Sequence, residues 1–155
     1  MNEARRRIPE LTLVEHELSV PLDHADPGGR RITVFARELI GEGRDAASFP
    51  LLVFFQGGPG SEATRTPSAP TKDSWLSRAL EEYRVLLLDQ RGTGRSTPMT
   101  ARTVNGTDAE ISDYLRHFRA DSISSRDVSI VCAACASHPA MFCRKKQKPR
   151  RYCRP

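Results

Sequence analysis

The sequence predicts an α/β fold in which an antiparallel hairpin feeds a mainly parallel sheet. Three observations carry this. Leu51 to Phe55 and Val85 to Leu88 are short, continuously apolar runs, as expected of strands covered on both faces. A segment of helical periodicity lies between them, which gives the strand–helix–strand order of a right-handed crossover. Upstream, Leu11 to Val20 and Arg31 to Leu39 are rich in β-formers with partial alternation, and Asp26-Pro27-Gly28-Gly29 separates them as a turn would.

Each element has its own signal. The hairpin rests on that turn, where proline sets φ and the two glycines release it. The helix between the apolar runs starts after Thr71, a residue able to cap it. It then places Trp75, Leu76, Ala79, Leu80 and Tyr83 on one face. A second helix opens at Thr107-x-x-Glu110, where side chain and backbone can cap each other, and continues with Ile111, Tyr114, Leu115 and Phe118 on one face. Val128-Ser129-Ile130-Val131 reads as a last short strand, and no core-forming period follows it.

Charge divides the chain. Its 155 residues are 38% hydrophobic and 28% charged, with a net charge of +5. Residues 1–143 carry 17 basic and all 19 acidic side chains, whereas residues 144–155 carry seven basic ones and no acid. The basicity therefore belongs to a tail, which would bind phosphates without specificity, and no specific nucleic-acid partner is expected for the fold. Cys132, Cys135, Cys143 and Cys153 also fall in the last 24 residues, which argues against a disulfide framework and for a reducing compartment. The basic start at Arg5-Arg6-Arg7 runs into Ile8-Pro9-Glu10 and makes no secretory signal. No apolar run approaches the ~18–20 residues needed to span a bilayer. A cytoplasmic protein with no membrane contact is expected.

The chemistry concentrates in two loops. Leu51 to Phe55 opens into Gln56-Gly57-Gly58-Pro59-Gly60-Ser61, where glycines can turn backbone N–H groups toward a ligand at the carboxyl end of the strand. Val85 to Leu88 opens into Asp89-Gln90-Arg91-Gly92-Thr93-Gly94-Arg95-Ser96. Gly92-x-Gly94 is no dinucleotide fingerprint. It lacks the third small residue, Thr97-Pro98 interrupts the helix a phosphate would need, and no acidic residue ends a strand about 20 positions on. With no Walker lysine either, no cofactor is expected.

Together the two loops resemble the prolyl aminopeptidase (proline iminopeptidase) family of α/β-hydrolases, in which His-Gly-Gly-Pro-Gly follows one strand and Asp-Gln-Arg-Gly-x-Gly-x-Ser the next. Gly57-Gly58-Pro59-Gly60 and Asp89 to Ser96 match in order and spacing, and the likeness runs from about Leu11 to Ile123. Gln56 departs from it, standing where the family usually has histidine. The resemblance implies a serine hydrolase that releases N-terminal proline from a peptide. Gly57, Gly58, Pro59 and Gly60 would form the oxyanion loop, and Gln56, Asp89, Arg91, Gly92 and Gly94 would brace it. On this basis the hairpin supplies the first two strands of an incomplete α/β-hydrolase sheet and the two apolar runs the next two.

That enzyme also needs Gly-x-Ser-x-Gly, then an acid and a histidine. No glycine follows Gly106, Ser61 and Ser96 are not at the nucleophile position, and His138 stands in a segment without a predicted sheet. The expectation is an N-terminal hydrolase portion over 1–123, inactive alone, followed over 124–155 by an unrelated, disordered basic tail of the kind a shifted reading frame produces. An uncovered sheet would favour aggregation. The alternative is a non-catalytic binding module whose tail holds zinc through Cys132, Cys135, His138 and Cys143, or contacts nucleic acid.

Overall fold

The computed structural model describes residues 2–56, 60–100, 102–118 and 125–135. Among them β1 (Asn2–Ile8), β2 (Leu11–Pro21), β3 (Arg31–Gly41), β4 (Leu51–Phe55) and β5 (Arg84–Leu88) form one mixed sheet in the order β1-β2-β3-β5-β4. Three α-helices accompany it: α1 (Trp75–Glu82), α2 (Asp108–Arg116) and α3 (Ser125–Cys135). The result is a partial α/β fold, with few helices for its sheet.

The hairpin forms as its turn and alternation predict. β2 pairs antiparallel with β3 from Leu11↔Gly41 to Pro21↔Arg31. β5 then lies antiparallel to β3 and parallel to β4, with α1 in the crossover. This places β5 inside the sheet and β4 at its edge among the described residues.

Period-two alternation divides the core between the two faces. On one, Leu76 and Leu80 of α1 pack against Leu11, Leu13, Leu39, Val85 and Leu87. Burying such leucines contributes about 1.5–3 kcal/mol each. On the other, Val131 of α3 packs against Leu18, Val20, Val34, Ala36, Leu86 and Leu88, with Tyr114 and Phe118 partly buried beside them.

Four expectations are corrected. The arginine-rich start is a strand, β1, held by pairing with β2 and almost wholly exposed, so the hairpin strands are the second and third of the sheet. Its backbone pairing satisfies it without any apolar face. β4 is only half-buried, having a strand neighbour on one side among the described residues. Ser74 rather than Thr71 caps α1, accepting from Ser77 N at 3.1 Å, while Thr71 O accepts from the Ser74 hydroxyl. Finally, Val128 to Val131 belongs to a helix, α3, where Val131 is fully buried against the sheet. A β-branched run was overridden there by tertiary packing. The boundary expected at residue 123 thus has core-forming residues beyond it, and residues 136–155 lie outside the described part.

Candidate active-site scaffold at the ends of β4 and β5

β4 and β5 run parallel and in register from Leu51↔Arg84 to Phe55↔Leu88, so the two glycine-rich loops leave the sheet side by side at its carboxyl end. Gly57, Gly58 and Pro59 lie outside the described residues. Gly60 has a φ of +95° with open space where a Cβ would stand. The strand ends are tied together by Gln90, whose Nε2 donates to Gln56 O at 3.2 Å.

The loop after β5 is organised by Asp89, which is buried. Its Oδ1 accepts from Ala63 N at 2.9 Å and its Oδ2 from Arg95 N at 3.0 Å, so one carboxylate joins the segment after Gly60 to the segment after Gly94. Gly94 has a φ of +50°, and a Cβ there would stand 2.2 Å from Asp89 Oδ2. Only glycine allows the carboxylate that approach. Ser96 is fully buried. Its hydroxyl donates to Asp89 O at 2.6 Å and accepts from Phe35 N of β3 at 2.8 Å, so its proton is committed to the loop and its oxygen to β3, which leaves it no nucleophilic freedom.

Arg91 points away from this loop into the body. It makes a bidentate pair with Asp127 of α3, Nε to Oδ2 and NH2 to Oδ1. Its remaining N–H groups donate to Leu22 O at 2.6 Å and Pro21 O at 3.0 Å. His24 Nε2 lies 2.8 Å from both Arg91 NH2 and Asp127 Oδ1; with the two NH2 hydrogens given to Asp127 and Pro21, it donates to Asp127 Oδ1. The guanidinium therefore fastens β5, the hairpin turn and α3 together. Gly92 admits the edge of the Phe118 ring, 3.0 Å from where its Cβ would be.

A partly exposed charge cluster buttresses the outer side. Arg95 donates to Glu15 at 2.7 Å and Glu17 at 2.6 Å and lies 4.1 Å over the Phe35 ring, while Arg37 donates to Glu15 at 2.7 Å. Burial alone would raise the Glu15 carboxyl, but the hydrogen bonds from Arg37 and then Arg95 outweigh it and hold the group below the ordinary glutamate range.

Asp89, Arg91, Gly92 and Gly94 had been singled out in the sequence, whereas the residues they meet or neighbour, Asp127, His24 and Ala63, had not. Asp127 is 36 positions from Arg91, and nothing in the polar run Ser124-Ser125-Arg126 before it announced a buried partner. Of the alternative metal set, Cys132 is half-buried in α3 and burial pushes its thiol up, which works against the thiolate a metal needs. The Cys135 side chain, His138 and Cys143 lie outside the described part.

No protein-family model matches the chain. Among characterised proteins it is similar to the proline iminopeptidase of Aeromonas sobria, 48% identical over 118 residues that make up 75% of this chain and 27% of that protein. It is also 40% identical over 113 residues to a proline iminopeptidase of Aspergillus aculeatus, covering 70% of this chain and 24% of the relative. A tripeptidyl aminopeptidase of Streptomyces lividans is 31% identical over 85 residues, covering 54% of this chain and 16% of the relative. The chain spans about a quarter of the length of the iminopeptidases it matches. With the two loops and the strands that carry them, these matches establish that the chain has a prolyl-aminopeptidase-like N-terminal portion.

Proposed function

We propose that this chain supplies the loop-bearing scaffold of a serine aminopeptidase acting on peptides with N-terminal proline. The observation that carries the reading is the joint occurrence of Gly57-Gly58-Pro59-Gly60 after β4 and Asp89 to Ser96 after its parallel neighbour β5, within a region 48% identical to a proline iminopeptidase. Ligands of open α/β sheets bind at this end of the strands.

In that role the loop following β4 presents a backbone N–H near Gly58 to the oxyanion of the tetrahedral intermediate, while Pro59, having no N–H, fixes the turn. Asp89 and Arg91 hold the adjoining loop and do not react. The attacking serine, its histidine and their acid have no counterpart in the sequence, which contains no Gly-x-Ser-x-Gly. Acyl transfer needs that nucleophile, so the chain alone is expected to leave proline β-naphthylamide intact. A chimera in which residues 11–118 replace their counterpart in an active proline iminopeptidase is expected to release naphthylamine. Turnover by the isolated chain overturns the inactivity, and a folded but silent chimera overturns the assignment of the scaffold.

A further inference from the structure

A cavity of about 640 Å³ opens at the other end of the sheet, near the start of β5 and far from the loops just described. It shares the sheet face of Leu18 and Val20. Its floor is a buried polar chain: His16 Nε2 lies 3.2 Å from Glu38 Oε2, and Glu38 Oε1 accepts from Arg84 NH1 at 2.9 Å. A carboxylate can only accept, so Nε2 donates to it, and in the tautomer with its single proton on Nε2 the ring presents Nδ1 as an acceptor. That Nδ1 is buried and has no hydrogen-bond partner among the described residues, and His16 as a whole is 2% exposed. Buried polar atoms are nearly always paired, so this one points to something that donates to it.

β1 forms the wall above. Glu3 pairs in register with His16, Arg5 with Val14 and Arg7 with Thr12, and all of them line the cavity. Alternate strand residues lie about 7 Å apart, so Glu3, Arg5 and Arg7 form a row with its acceptors at one end and its cations at the other. Among the described residues no ion pair or hydrogen bond engages these three side chains. A simple anion would meet Glu3, and a simple cation would meet two guanidinium groups.

We propose that this cavity binds a compact zwitterion of the amino-acid or dipeptide class. Its carboxylate sits on Arg5 and Arg7, and its amine donates to Glu3 and to Nδ1 of His16. The volume lies in the range of small-molecule sites, about 300–1,000 Å³. The site is independent of the hydrolase reading, since it shares no residue with the loops after β4 and β5.

Titration of the full chain with glycylglycine, acetate and ethylamine, followed by calorimetry and by the His16 ring resonances, tests it. Glycylglycine is expected to saturate a single site and to bind at least about tenfold tighter than either half-molecule, as two added charge-assisted contacts imply. The double variant R5S/R7S, on an exposed edge strand, is expected to keep its circular dichroism and weaken glycylglycine about tenfold or more. Absence of saturable glycylglycine binding, acetate binding as tightly as glycylglycine, or an R5S/R7S variant with unchanged affinity each overturns the proposal. The comparison of the three ligands on the unaltered chain decides the matter even if the variant does not fold.

Discussion

β4 and β5 are parallel neighbours of five residues each, Leu-Leu-Val-Phe-Phe and Arg-Val-Leu-Leu-Leu, and both read as strands closed in on two faces. They end up in different environments. Every residue of β5 is buried, whereas β4 is half-buried along its length and Phe55 is 45% exposed. Composition is alike and position differs: β5 sits between β3 and β4 and is covered by α1 on one face and Val131 of α3 on the other. β4 has one strand neighbour among the described residues, and its Phe54 stacks on Trp75 at 4.4 Å while that indole stays 49% exposed. Hydrophobicity thus tells how well a strand could be buried, and its place in the sheet decides how far it is.

The same contrast extends to what fastens each strand. β5 is continued by Asp89 and Arg91, whose bonds reach β3, the hairpin turn and α3, and the Gln90 amide reaches across to Gln56 O at the end of β4. The contrast breaks most sharply at Asp127, because removing it leaves the Arg91 guanidinium buried without its partner and releases α3 from the β5 side. Asp127→Ala is expected to cost about 3–5 kcal/mol in urea unfolding. A cost below about 1 kcal/mol would show that α3 contributes little to the burial of β5.

Next in size is the pair of leucines at the centre of the comparison. Leu87→Ala should cost about 2–5 kcal/mol, and Leu52→Ala, on the same face but on the half-buried strand, should cost less than half as much. Equal costs would mean that β4 is as enclosed as β5 in solution. The smallest effect belongs to the outer buttress at Glu15. Its carboxyl is lowered in the folded chain, so its contribution is present above the unfolded value of about 4.3 and is lost as pH falls through the folded one. Glu15→Gln should therefore flatten the acid limb of the stability–pH curve below about pH 4 and leave its neutral region nearly level. An unchanged acid limb would remove Glu15 from the account.

Much of this was legible along the chain, for local reasons. The hairpin is announced by its turn residues, β4 and β5 by their apolar runs, and α2 by a capping box in which Thr107 Oγ1 accepts from Glu110 N and the Glu110 carboxylate accepts from Thr107 N at 2.8 Å. What escaped the sequence was set by contacts distant along it. β1 has no apolar face and exists through its ladder to β2. α3 carries a β-favouring run that is helical because Val131 and Asp127 meet the sheet. The cavity residues are scattered likewise, His16, Glu38 and Arg84 being joined only when β2, β3 and β5 align.

The sequence by itself determined which segments would be strands and helices over most of the body, and it placed the two glycine-rich loops after neighbouring parallel strands. Turn chemistry, caps and apolar periodicity act within a few residues and so can be read one segment at a time. Only the tertiary structure decided that, among the described residues, β5 would be enclosed and β4 left at the edge, that Arg91 would find Asp127 in a helix 36 residues on, and that His16 would be buried with one nitrogen unanswered. Those outcomes depend on which elements share a face, a long-range condition that no local pattern encodes.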